Sequence, residues 1–129
     1  MTRGRADRGS ASVWVLACSV LVLLVGVAVS LRAGAVLARH RAESAADLAA
    51  LAAAARIGYA DDVCAPADPI ARANGAGLVR CRAEVAPDGR SGTVDVAVSV
   101  AVHVPGVGIR RATATARAGR LAVAGPGSS

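Results

Sequence analysis

Few residues in this chain could carry chemistry, and their spacing decides what kind. The 129-residue sequence has three cysteines and two histidines. Cys64 and Cys81 stand close enough in sequence to pair, whereas Cys18 sits within an uncharged apolar run. Two cysteines with His103 far downstream do not make a zinc set, so no metal site is expected. His40 lies between Arg39 and Arg41, and His103 falls on the polar side of an alternating stretch, so both are expected to be solvated. Glu43 and Asp47 are one helical turn apart; without a pocket they are a charged surface, with Arg39 able to pair with Glu43 at i, i+4. No nucleophile–base set and no phosphate-binding glycine loop is present, so neither an enzyme nor a bound cofactor is expected.

Composition narrows the classes further. The formal net charge is +6, and all 15 basic residues are arginine. Aromatic residues make up 2% of the chain, too few to alternate with the arginines as base-stacking platforms, so nucleic acid is not an expected partner.

The element that must position everything else is residues 11–31, ASVWVLACSVLVLLVGVAVSL. At ~1.5 Å per residue this uncharged run covers about 31 Å, the hydrocarbon thickness of a bilayer. A cleaved secretory signal is the alternative, with Ala33-Gly34-Ala35 as its cleavage site. Arg3, Arg5 and Arg8 before the run nearly balance Arg32, Arg39 and Arg41 after it, so charge alone does not orient the span. Cys64 and Cys81 both follow the span and suit an oxidising compartment, which puts the N-terminus in the cytoplasm and the C-terminal part outside the cell membrane.

No proline interrupts Ser10 to Arg56, and the residues beyond the span are strong helix formers, so one helix is expected to continue past the bilayer. Small residues recur at every fourth position, among them Gly26, Ser30, Gly34, Ala42, Ala46 and Ala50. Such rows let helices approach closely, so these positions, with Asp47, are the expected helix-packing residues; a helix that is merely alanine-rich is the alternative.

Residues 8–55 resemble the N-terminal region of TadE/TadG-like proteins of tight-adherence (Flp) pilus assembly. Arg8-Gly9 before the span and Ala45-Ala46-Asp47-Leu48-Ala49-Ala50-Leu51-Ala52-Ala53 after it carry the resemblance. It implies a membrane-bound pilin-like or pilus-accessory protein with no enzymatic activity and no cofactor. Leader cleavage between Gly9 and Ser10 would put Trp14 at the fifth mature position, where the family's prepilins carry Glu. An uncleaved TadG-like anchor therefore fits better.

After Gly58 the pattern changes. DPIARANGAG reads as a short helix with Asp68 as cap, Pro69 at its first position and Asn74-Gly75 at its end. Period two then takes over. Valines 94, 96, 98, 100, 102 and 104 share one face, and LVRCRAEVA places Val79, Cys81, Ala83 and Val85 together. PDGRSG joins these runs, and PGVG leads into IRRATATARA. The expected fold is α+β and pilin-like: a long membrane-spanning helix continuing outside, then a three-stranded antiparallel sheet with a short helix.

The corresponding segments are a basic cytoplasmic leader (1–10), the span (11–31), an alanine-rich extension (32–57), a small exported domain (58–122) and a flexible tail (123–129). So small a core needs a staple, and a Cys64–Cys81 disulfide is expected over two free thiols. The expected role is a single-pass pilus or secretion-assembly component that packs laterally with similar helices, including copies of itself. The alternative is an envelope module that uses Arg80, Arg82, Arg111 and Arg117 to bind an anionic polymer or lipid headgroups.

Overall fold

A computed structural model of the chain describes residues 7–122. The first six residues of the expected leader and the expected tail lie outside them. The elements run α1 (Asp7–Ala54), α2 (Ala67–Ala73), β1 (Gly77–Val85), β2 (Gly92–Val104) and β3 (Gly108–Arg120). The fold is α+β, as the periodicities require. The chain divides into two units at Gly34/Ala35.

In the first unit the apolar side chains face outward: Trp14 is 70% exposed, and Val13, Leu16, Leu21, Val22 and Leu23 are comparably open. Ala11–Ala54 contains a window long and apolar enough to cross a membrane, and none of that window is buried within the chain.

In the second unit three strands form one antiparallel sheet in the order β1-β2-β3. The β2 valines do what alternation demands: Val94, Val96, Val98 and Val100 are buried, opposite Ala118, Ala116, Ala114 and Ala112 on β3. Alanine on β3 keeps that side of the sheet thin. Onto it packs a face of α1 made of Ala42, Ala45, Ala46, Ala49, Ala50, Ala53 and Ala54, completed by Ile57, in one continuous core. The spacing i, i+3, i+4, i+7 is that of a helix face buried against another layer. Apart from Ile57 every residue on it is alanine, so this face of the helix is smooth.

Two local expectations change. Val79 is exposed and Leu78 takes the core position, because the β1–β2 register shifts between Leu78 and Arg80. Such a bulge re-aims one residue, and because Leu78 and Val79 are both apolar the sequence pattern carries no trace of it. Val85, near the strand's end, is exposed too. Asp68 is not the cap of α2. The Ala67 amide already bonds the Cys64 carbonyl, so the helix starts earlier and Pro66 holds the cap position. Asp68 instead stands in the first turn, where a carboxylate suits the helix dipole, and its oxygens accept from Arg72 at 3.0 and 3.1 Å.

Gly92 opens β2 where only glycine fits: a Cβ there would collide with the Glu84 carbonyl oxygen. Gly58, with φ +82°, turns the chain out of α1 against the backbone of Gly89 and Arg90.

Candidate functional site

The residues expected to pack against other helices fall into two environments. Ala42, Ala46 and Ala50 are buried, at 0%, 0% and 1% exposure, within the core that the chain's own sheet completes. They pack, but their partner is intramolecular. Gly26, Ser30 and Gly34 are exposed, and a Cβ added at either glycine meets nothing within 4 Å. The Ser30 hydroxyl donates to the Gly26 carbonyl at 2.8 Å, so its polar group is satisfied inside the helix and needs no partner in lipid. Asp47 is exposed beside Leu48 and Leu51, on the side of α1 away from the alanine face. Arg39 and Glu43 pair at 2.9 Å, with His40 Nδ1 3.4 Å from the other Glu43 oxygen. Gly9 and Ser10, the residues flanking the leader cleavage position, lie in the first turns of α1.

Cys64 and Cys81 form a disulfide with a Cα–Cα separation of 6.0 Å. It fastens the segment preceding α2 to β1. Cys18 is an exposed free thiol on the apolar segment. Among the described residues no cluster of His, Cys, Asp and Glu could hold a metal ion.

The four arginines of the basic-face reading do share the outer side of the sheet. Arg82 and Arg117 flank Asp95 from opposite strands, Arg80 lies opposite Ala97, and Arg111 opposite Ala101. Arg117 is not free, however. Its Nε and Nη2 donate to the two Asp95 oxygens at 2.6 and 3.0 Å, a fork-to-fork pair. That hydrogen bond, and the Arg117 and then Arg80 and Arg82 charges, hold the Asp95 carboxyl below its usual range. Asp88, in the β1–β2 turn, is lowered by the amides of Arg90 and Ser91 and by the Ser91 hydroxyl.

Both carboxyls favour the folded state when ionised, so their contribution is present above the unfolded value of about 4 and is lost as pH falls through the lower folded value. Urea unfolding in detergent should therefore show stability level near neutrality and declining below about pH 4. Asp95→Asn should make that decline shallower; an unchanged slope would remove Asp95 from the account.

Sequence reasoning did not find Arg120. Its Nη1 donates to the Ile57 carbonyl at 2.9 Å and reaches that of Ala55 at 3.4 Å, while Nη2 donates to the Tyr59 hydroxyl oxygen at 3.0 Å. The guanidinium also stands 4.5 Å from the Tyr59 ring centroid. A cation on the carbonyls of the turn that follows α1 satisfies groups left open there and suits the dipole of the helix end. The last residue of β3 thus clamps the end of the helix. The hydrogen bond from Arg120, followed by its charge, lowers the Tyr59 pKa.

Known proteins bear on the helix alone. Residues 9–56 match the family model Tad, described as "Putative Flp pilus-assembly TadE/G-like". The match covers 48 of the 129 residues and shows a likeness of that segment alone. That segment takes in the exposed apolar stretch and ends two residues beyond the buried alanine face. No curated protein and no solved structure matches the chain. The matched residues include a helix long and apolar enough to cross a membrane.

Proposed function

We propose that this TadE/G-like chain is a single-pass anchored component of a pilus or secretion assembly. It acts without catalysis, through lateral helix packing inside the bilayer. Its N-terminus is cytoplasmic and its sheet-bearing unit lies outside. The observation that carries the reading is the division of small residues along α1. The alanines beyond the span are covered by the chain's own sheet, whereas Gly26, Ser30 and Gly34 are uncovered. Small side chains on a lipid-facing surface allow close approach of a second helix, where dispersion and backbone contact replace the hydrophobic effect. The partner is another helix of the assembly, from the same or a different chain.

Disulfide crosslinking in native membranes tests this. In a Cys18→Ser background, Gly26→Cys or Gly34→Cys should give dimers or mixed adducts on mild oxidation, and Ala46→Cys should give none. Adducts at neither glycine would end the reading.

The basic-face alternative has one observation in its favour, the gathering of four arginines on one side of the sheet. Asp95 and Glu84 lie among them and offset part of that charge. It predicts binding of the full chain to a soluble polyanion that weakens steeply with salt.

A further inference from the structure

The β2–β3 hairpin is longer than the sheet it belongs to. β1 pairs with β2 only as far as Gly77↔Ser99, while β2 and β3 continue together to Val104↔Gly108. Residues 100–112 therefore form a two-stranded arm that extends past the third strand. Its end is apolar and uncovered: Val107 is 58% exposed and Ile109 72%. Arg110 and Arg111 follow immediately, and the alternation of a strand sends them to opposite faces of the arm.

The direction of the arm is fixed within the second unit. Gly92 pairs with Arg120, whose guanidinium holds the Ile57 carbonyl, so β2 begins beside the C-terminal end of α1. Ser99 pairs with Gly77, just after Asn74, and Asn74 shares a cleft with Leu37, His40, Arg41 and Ser44. The strand from 92 to 99 thus covers about 23 Å at ~3.3 Å per residue. The helix from 57 back to about 41 covers about 24 Å at ~1.5 Å per residue. The two run side by side in opposite directions. Five further strand residues add about 16 Å, equal to about eleven helical residues, which carries the tip to the level of Ala35 or beyond.

Ala35 is in turn four residues after Leu31, the last residue of the apolar run. Even a fully extended link of four residues reaches only about 14 Å, so Ala35 lies within that reach of Leu31, where the span of the anchored reading ends.

From this placement we propose that the β2–β3 tip is a second membrane contact. Val107 and Ile109 enter the headgroup–acyl boundary of an anionic bilayer, and Arg110 and Arg111 meet its phosphates. Shallow apolar insertion backed by arginines is the chemistry by which peripheral elements bind such surfaces, and here the anchor supplies the proximity. Arg41, on the same end of the unit, adds a further cation, while Arg39 is paired with Glu43. The proposal rests on the anchored reading above, so its test reports on anchoring separately.

Full-length protein carrying Cys18→Ser and an environment-sensitive dye at Val107→Cys would be reconstituted into vesicles of equimolar phosphatidylglycerol and phosphatidylcholine. A dye at Asp88→Cys, in the β1–β2 turn at the opposite end of the unit, is the comparison. Flotation reads anchoring. Quenching by nitroxide on the lipid reads the tip. The expected result is protein that floats, with the dye at 107 blue-shifted and quenched and the dye at 88 neither. Arg110→Glu with Arg111→Glu should weaken the quenching at 107 while flotation is kept. Floating protein whose dye at 107 is quenched no more than that at 88 would overturn the tip contact and leave the anchor standing. Protein that does not float would overturn both.

Discussion

Replacing Ala46 with leucine should destabilise the second unit by about 3 kcal/mol, toward the upper end of what overpacking costs. Ala46 is fully buried on the α1 face of the core that includes the valine row of β2. Leucine adds three carbons in a core made mostly of alanine and β-branched valine, which have little freedom to make room. Its helix propensity is close to that of alanine, so the loss would come from packing alone. Ser44→Leu is the matched control. Ser44 is two residues away on the exposed side, and the same side chain there should change stability by less than about 0.5 kcal/mol. Urea unfolding of both variants in detergent, followed by circular dichroism, gives the comparison. Equal stabilities would mean that the sheet does not cover this face.

The second large effect is expected at the disulfide. Cys64 and Cys81 are 17 residues apart in sequence. Closing a loop of that size is worth roughly 3 kcal/mol in the chain-entropy description. The rest of the unit offers little reserve, because its core is almost entirely alanine and valine, with Ile57 its largest fully buried side chain. β1 is an edge strand with one neighbour, and α2 rests against it, so the bridge is what ties this margin to the sheet. Cys64→Ser with Cys81→Ser, or reduction, should lower the urea midpoint of the whole unit, with protection from hydrogen exchange lost first in β1 and α2. A midpoint unmoved by reductant would show that the bridge is dispensable.

What the sequence discloses follows from how bulky its signals are. The uncharged run from Ala11 to Leu31 requires a helix and the alternate valines of β2 a strand, and both elements form as those patterns require. The face of α1 is different. An every-fourth row picks out Ala42, Ala46 and Ala50 but passes over Ala45, Ala49 and Ala53, the i+3 positions that complete a buried face. Leucines at those places would have declared the stripe; alanine has too little hydrophobic contrast, and the same residues serve equally well against a neighbouring helix. The exposed Leu48 and Leu51 compound the ambiguity, since the larger apolar side chains of this stretch point away from the core. Arg120 was hidden for another reason. A helix clamp joining residues 63 and 65 positions apart depends on where the last strand ends in space, and no local pattern encodes that. The unequal strand lengths are written in the alternation, 9 residues in β1 against 13 in β2, but their consequence needs the register.

The account turns on the alanine face of α1 being closed by the chain's own sheet, which leaves the small residues of the span as the uncovered ones. Thiol labelling measures this directly. Full-length protein with Cys18→Ser and either Ala46→Cys or Ser44→Cys would be treated with a polar maleimide in detergent, before and after denaturation. The account predicts rapid labelling at position 44 and none at position 46 until the fold is disrupted. Equal labelling of both in the folded protein would contradict it.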